Sequence, residues 1–461
     1  MQILTSQPGA QTTEASTPPG PDLAGMPSDT PVRVLFFDYW TEGIFNFKRV
    51  VDAAAGEAAS FQLFHLGSFR NKSTARFDII SGIPCIDIAA FRGMNLEQIL
   101  KSLRPDVVID LNMTGVCDRA LFLTCARFRI PTVYLQHGMQ FCESETILTW
   151  CKQLDRSWKM SEYVRHIRKY RHVLPWYLRA KKGDSTLASF WKVLWALTTS
   201  PSTSHFHPVN PAELWPSLAL VYNQALAERL TEHWGLPAER IRVVGNPELD
   251  GAIRRLHSPL PADTRSALVR SIGLDPDKPI LFHADEGLAE CGGFGWTPAF
   301  RDERLAELYA ACRAAGVQLL ARPRPVESPG FREFWDGKQG VAVTRELPLV
   351  DSVDVSFAAV GTMSTVLETA AALKKPILSP LWYFNGHEII SPYLKCGAAE
   401  PVQSPGLFAD AIGSALKGEL RPATRQFAAH WLGPTDAEVS RKVVDTILAV
   451  ARQTRTEREG L

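Results

Sequence analysis

Short runs of almost unbroken apolar residues alternate with longer segments of helical spacing, in two separate blocks. An apolar run without polar alternation is a strand covered on both faces, the condition of a strand inside a parallel sheet. In the first block Val32–Asp38, Phe61–Leu66, Asp106–Leu111 and Pro131–Gln136 read as strands, with helices over Phe47–Ala58, Leu96–Leu103 and Val116–Phe128. The alternation stops at His137 and resumes with a strand at Leu218–Tyr222, a helix at Gln224–Trp234 and a strand at Ile241–Val244. The second block predicts strands at Pro279–His283, Val317–Ala321, Val353–Ala358 and Pro376–Ser379. Helices are expected at Glu303–Ala315 and Thr365–Leu373, with further helices to the C-terminus. Two such blocks imply an α/β chain of two doubly wound, Rossmann-like domains facing across a cleft, with ligands at the carboxyl ends of the strands.

The expected boundaries follow from changes in character. Residues 1–31 hold no Lys or Arg and are crowded with Pro, Gly, Ser and Thr, which reads as a disordered leader and not a secretory signal. The first domain spans 32–254, with a helical insertion over 140–215; a polar, Pro-containing linker covers 255–278; the second domain spans 279–461. With 45% hydrophobic and 21% charged residues, the 461-residue chain can bury large cores. Lys+Arg number 50 against 49 Asp+Glu, a net +1 that excludes nucleic-acid binding by bulk charge. No apolar run approaches the roughly 20 residues of a membrane span. Eight scattered cysteines form no close CxxC pair, which argues against a structural zinc site and suits a reducing cytosol.

The residues at strand ends carry the chemistry. Gly361, Thr362 and Ser364 follow a strand and open a helix, where exposed N–H groups and the helix dipole favour an anion such as a diphosphate. Thr365 and Glu368 also fit a capping box that seals the same helix's first turn, and the two readings are compatible. Arg322 and Arg324 alternate with prolines, a stiff extended exit with two guanidiniums suited to phosphate, or to weak surface ion pairs. Asp285 and Glu286 precede Gly287; adjacent carboxylates at a cleft can supply a general base, or simply form a solvated acidic loop. The first strand leads to Glu42, and another leads to Gln136-His137-Gly138, so Glu42 and His137 are expected on the same cleft. Between Cys151 and Lys182 there are ten Lys/Arg against two acidic residues, a local +8 that leaves −7 for the remainder. With Trp150, Trp158, Trp176, Trp191 and Trp195 in or near it, this stretch suits an anionic membrane surface or a pyrophosphate-lipid acceptor, or a hairpin packing its tryptophans.

Taken in order, these residues resemble the GT-B glycosyltransferases of bacterial surface-polysaccharide biosynthesis, the group with capsule and sialyltransferase-like enzymes and teichoic-acid polymerases. The resemblance rests on Gln136-His137-Gly138, on Val243-Val244-Gly245-Asn246-Pro247 with Asp250, on Arg322–Pro325, and on Ser364-Thr365-x-x-Glu368 with Lys375-Pro376. It spans about 32–450. It implies a cytoplasmic enzyme, peripheral on the inner face of the plasma membrane through 150–182, that moves a sugar from a nucleotide-sugar donor to a glycan or lipid-linked acceptor. The first domain would bind the acceptor and the second the donor, through Arg322, Arg324, Gly361, Thr362, Ser364, Thr365, Glu368 and Asn246. Asp285 is the first candidate base, ahead of Glu286, His137 and Glu42. No metal, no further cofactor and no nucleic acid are implied. Arg324-Pro325 stands where sialyltransferase-like members have His-Pro, which weakens a CMP-sugar reading. Polyol-phosphate (CDP-glycerol-type) transfer, UDP-GlcNAc 2-epimerisation and an inactive nucleotide-sugar-binding subunit are the alternatives; the epimerase's His-Arg-Arg-Glu-Asn stretch is missing.

Overall fold

The structure, a computed structural model, describes residues 31–38, 43–65, 77–91, 94–113, 116–137, 215–232, 235–291, 293–324, 330–387, 391–395, 397–418, 428–434 and 436–459. The expected leader, Glu42 and the basic stretch 150–182 with its tryptophans lie outside the described residues.

Two sheets form the protein. The first has eight strands: β1 (Val32–Asp38), β2 (Ala59–His65), β3 (Phe77–Ile80), β4 (Ile83–Asp87), β5 (Val107–Asp110), β6 (Thr132–Leu135), β7 (Leu218–Val221) and β8 (Ile241–Val243). Their order is β3-β4-β2-β1-β5-β6-β7-β8, parallel except for β3. The second has six parallel strands: β9 (Ile280–Ala284), β10 (Gln318–Arg322), β11 (Val341–Val343), β12 (Ala358–Val360), β13 (Ile377–Pro380) and β14 (Ala399–Val402), in the order β11-β10-β9-β12-β13-β14. Leaving aside the edge hairpin β3–β4, each order reverses direction once, between β1 and β5 and between β9 and β12, as a doubly wound sheet requires. β9 is buried along its whole length, and β5, β6 and β12 likewise, which is why they read as continuous apolar runs.

The sequence patterns also leave out β11 and β14, and four further departures have local reasons. β3 and β4 make a hairpin whose turn residues Ser81 and Gly82 have φ of 53° and 80°; all four residues of β3 are exposed, so no buried face marked it. The expected strand Val353–Ala358 is instead a helix, Leu349–Asp354, followed by the three-residue β12. Pro348 opens that helix, and the apolar spacing there fits either period. The helix expected at Glu303–Ala315 starts earlier, at Pro298, because Thr297 caps it by accepting from the Phe300 N–H at 3.1 Å. The expected linker 255–278 is not a linker: helices Asp250–His257 and Ala262–Ser271 occupy most of it, and Ala252, Ile253, Val269 and Leu274 pack into the second domain's core.

The expected second domain, 279–461, is not one unit either. The final helix, Val439–Glu459, returns to the first sheet. Val439, Val443, Val444, Ile447, Leu448 and Ala451 recur at helical spacing and bury against Val34, Phe36 and Ile109. The chain therefore crosses between domains twice, after β8 and again before Val439. The crossings are tied together. Asp250 Oδ1 accepts from the Val439 N–H at 3.0 Å, and Oδ2 from the Ser440 N–H at 2.9 Å and hydroxyl at 2.7 Å. Asn223 Nδ2 donates to the Trp431 carbonyl at 2.5 Å, and Gly433, at φ 76°, passes so close to the Tyr222 carbonyl that a Cβ would collide with it.

Asp250 is buried, and Asp250→Ala strands two helix-start N–H groups. The expected cost is about 1–3 kcal/mol of stability. Urea denaturation monitored by circular dichroism measures it. A midpoint equal to that of the wild type would contradict the role given to this contact.

Candidate active site

The first domain brings Gln136, His137, Asn246 and Glu248 to the carboxyl ends of β6 and β8. Gln136 is buried and accepts from the Tyr222 N–H through Oε1 at 2.6 Å, pinning the exit of β6 to that of β7. His137 follows with Nδ1 3.0 Å from the Leu111 carbonyl, an oxygen that can only accept. Nδ1 therefore carries the hydrogen, which makes Nε2 the basic nitrogen of the neutral ring. Burial pushes the His137 pKa below its ordinary value; the Leu111 carbonyl and the Glu248 charge oppose it. Glu248 pairs with Arg49 at 2.6 Å.

Beneath these residues lie three buried carboxyls, Asp38, Asp110 and Asp118, at the switch point between β1 and β5. Asp110 is pushed well above the carboxylate range by burial and then by the Asp118 charge, while its Oδ1 accepts from the Asn112 N–H at 2.9 Å. Asp38 lies so close against the start of helix Ile44–Ala53 that only glycine fits at Gly43.

The second domain answers with Glu368. Its helix is Val366–Ala372, and its Oε2 accepts from Asn246 Nδ2 at 2.5 Å, a buried hydrogen bond between the domains. Burial pushes Glu368 up to about 8; the Asn246 bond opposes the shift and the Glu248 charge adds to it. Near neutral pH the carboxyl is thus mostly protonated, and it can donate as well as accept. The capping box expected from Thr365 and Glu368 does not form. Thr365 itself has helical φ/ψ and makes no side-chain cap, and the Glu368 carboxyl faces Asn246.

The expected anion site at Gly361, Thr362 and Ser364 is already filled. Glu286 Oε1 accepts from the backbone N–H groups of Thr362, Met363 and Ser364 at 2.7, 2.6 and 2.9 Å, and the Gly361 N–H belongs to the sheet through Leu378 O. Glu286 is half-buried, with its carboxylate held by these three N–H groups. Burial pushes its pKa up, against the pull of the three N–H groups. Glu286 is thus not placed as a free base.

Turn chemistry accounts for Asp285-Glu286-Gly287. Asp285 Oδ1 accepts from the Gly287 N–H at 2.9 Å, an Asx turn. Gly287 has φ 62°, and Arg324 lies where its Cβ would be. Arg324 also donates to the Glu286 carbonyl at 3.4 Å while remaining exposed at the strand exit. Arg322 turns inward instead: its Nη1 donates to the Leu347 carbonyl at 2.7 Å, with Ser352 Oγ at 3.4 Å, and burial lowers its pKa. It braces its own domain and does not stand beside Arg324 as a phosphate fork.

The sequence reading missed Glu248, Arg49 and His283. Glu248 sits in the Gly245-Asn246-Pro247 break and could have been drawn from it, while Arg49 lies on a helix with no local signal. His283 is buried at the end of β9 and held down to about 4 by desolvation. Among the described residues no group of three His, Cys, Asp or Glu side chains is placed to hold a metal ion. No described helix is long and apolar enough to cross a membrane.

No protein-family profile matches this sequence, and no curated protein is found similar to it. Solved structures are. The UDP-GlcNAc 2-epimerase of Methanocaldococcus jannaschii, in complex with UDP-GlcNAc and UDP, superposes with a TM-score of 0.51 at 12% identity, over 91% of this chain and 99% of that one. A variant of the wall teichoic acid polymerase TagF gives 0.52 at 10% identity, over 93% and 90%. The UDP-GlcNAc 2-epimerase of Neisseria meningitidis bound to UDP-GlcNAc gives 0.50 at 13%, over 91% and 100%. These likenesses bear out the two-domain GT-B-like fold.

The Glu368 environment makes stability depend on pH. Its folded pKa of about 8 stands above the ordinary 4.5, so the folded state holds a proton that the unfolded chain has lost between those values. That contribution is fully present below pH 4.5 and is lost as pH rises to about 8. Glu368→Gln cannot ionise. Denaturation curves across this window should therefore show wild-type stability falling relative to the variant as pH rises. Parallel curves would contradict it.

Proposed function

We propose that this protein is a glycosyltransferase that moves a sugar from a nucleotide donor to a surface glycan or glycolipid acceptor. The observation that carries this reading is the buried Asn246–Glu368 hydrogen bond, which joins the carboxyl ends of two doubly wound sheets. Ligands of such sheets bind at those ends. Solved proteins of the same fold are bound to UDP-GlcNAc, which supports a nucleotide-linked donor here. In this reading Glu368 and Asn246 meet the donor's hydroxyls, and Ser364, Thr365 and the exposed Arg324 lie toward its phosphates. Arg322 and the 362–364 N–H groups are not donor contacts, because they already have partners within the second domain.

Inverting transfer needs a base that removes the acceptor's hydroxyl proton as oxygen attacks the sugar. His137 is our choice. The Leu111 carbonyl fixes its tautomer, and burial keeps it neutral at physiological pH. Asp285 serves the turn through Oδ1 and stands second. The lowered pKa places the acid limb of the pH–rate profile below pH 6.5.

A thermal-shift panel of UDP, GDP, CDP and CMP tests the donor half. One nucleotide should raise the melting temperature, since a ligand at 100 times its Kd adds about 2.7 kcal/mol of stability. His137→Gln should then keep nucleotide affinity and lose about 100-fold or more in kcat. No shift with any nucleotide, or full turnover by the variant, would overturn the respective half. Release of the nucleotide without sugar on an acceptor would favour epimerisation, and release of CMP with glycerol phosphate transferred would favour polyol-phosphate transfer.

The acceptor half extends to lipid. The +8 charge of 151–182 and its tryptophans support peripheral attachment to an anionic surface. Flotation with anionic vesicles at low salt is expected, lost above roughly 0.5 M salt as the attraction is screened. Protein that stays at the bottom of the gradient at low salt would remove the membrane from this reading.

A further inference from the structure

The second sheet reverses its order between β9 and β12, the place where a doubly wound sheet opens to a ligand. Here one side chain spans that opening. Glu286 lies two residues past β9 and delivers a single oxygen to the three successive N–H groups of the turn past β12. Three convergent donors on one oxygen is the arrangement that backbone nests offer to anions. The turn is held from its other sides as well. Thr362 Oγ1 meets Ser379 Oγ at 2.7 Å, the Thr362 carbonyl accepts from Ser391 Oγ at 2.6 Å, and the Ser364 carbonyl accepts from Tyr393 at 3.2 Å. Gly361 runs so close that a Cβ would lie 3.2 Å from Glu286 Oε1. The pocket left beside His283, Glu286, Arg301 and Tyr383 has a volume of about 20 Å3, room for one water and not for a phosphate.

We propose that Glu286 is a positioning residue of the donor site: its carboxylate takes the anion's place at the switch point and fixes the 362–364 turn. The turn in turn sets the helix that carries Glu368, and the donor's diphosphate lies outside the crevice. This rests on the donor-site reading above. Removing the carboxylate leaves three part-buried N–H groups without their acceptor, and donors left short of a partner favour rearrangement of the turn. Aspartate is one methylene too short to reach all three. Glutamine keeps an acceptor oxygen in the same place.

The test compares wild type, Glu286→Gln and Glu286→Ala in the full chain. Hydrogen exchange of peptides covering 361–368 reports the turn directly, and calorimetry with the nucleotide found in the thermal-shift panel reports the donor site. The alanine variant should lose protection in 361–368 and about tenfold or more in nucleotide affinity. The glutamine variant should stay within about threefold of wild type, because the acceptor oxygen is retained. Added acetate should restore both readouts to the alanine variant by refilling the vacated position, which loss of a purely packing contact would not permit. Should the alanine variant fail to fold, Glu286→Asp takes its place with the same expected losses. Unchanged protection and affinity without the carboxylate would overturn the proposal. So would tighter binding of nucleotide or inorganic phosphate by the alanine variant, since Glu286 would then be a plug that the donor displaces. A wild type that binds no nucleotide overturns the donor-site reading, while the exchange and acetate arms still decide whether Glu286 holds the turn.

Discussion

Two passes of the chain between the sheets, tied to each other at Asp250, fix how the domains meet. The first pass leaves β8 through Gly245-Asn246-Pro247 and enters helix Asp250–His257; the second arrives through Gly433 and starts helix Val439–Glu459. Both oxygens of the Asp250 carboxylate cap the second helix from the start of the first. Gly245 has φ 101° with Val439 and the Pro434 carbonyl at its back, so a side chain there would force the passes apart. Asn246 lies within this knot. Its Nδ2 donates to Glu368, and its Oδ1 accepts from the Glu248 N–H at 2.9 Å. The contact between the domains at Asn246 and Glu368 is thus carried by the segment that makes the crossing.

The two switch points answer the same problem differently. In the first sheet, the ends of β1 and β5 carry buried Asp38 and Asp110, which sit with Asp118; burial and the Asp118 and Asp38 charges raise the proton affinity of Asp110. In the second, one carboxylate meets three N–H groups and the crevice closes around it. Glu368 lies on the first turn of its helix, His137 on the exit of β6, and Arg324 on the exit of β10. Under the proposed function a donor would lie across the strand ends and would not thread between them.

Much of the fold was legible because buried parallel strands cannot alternate. β1, β5, β6, β7 and β9 stand where apolar runs predicted them, while the expected insertion after His137 lies almost wholly outside the described residues. What failed depended on tertiary partners. The exposed β3 has no buried face to write into a pattern. Residues 255–278 looked like a linker because helix Ala262–Ser271 buries little besides Val269. The last helix shows its periodicity in sequence, but not which sheet it covers. The site shows the same limit. Asn246 and Glu368 were singled out separately, 122 residues apart, and only the folded chain makes them one contact. Asp285-Glu286-Gly287 looked catalytic, yet an Asx turn, a reach to three N–H groups and a positive φ explain each residue. Arg322 and Arg324 read as a pair, but Arg322, the last residue of β10, turns in to the Leu347 carbonyl, while Arg324, past the end of the strand, stays exposed.

A structure determined with a nucleotide sugar in the cleft tests the central claim most directly. The expected density places the nucleotide across the strand ends beside Asn246 and Glu368, with Glu286 still on the N–H groups of Thr362, Met363 and Ser364. Phosphate oxygens on those N–H groups, with the Glu286 side chain swung away, would contradict a crevice closed by the protein's own carboxylate.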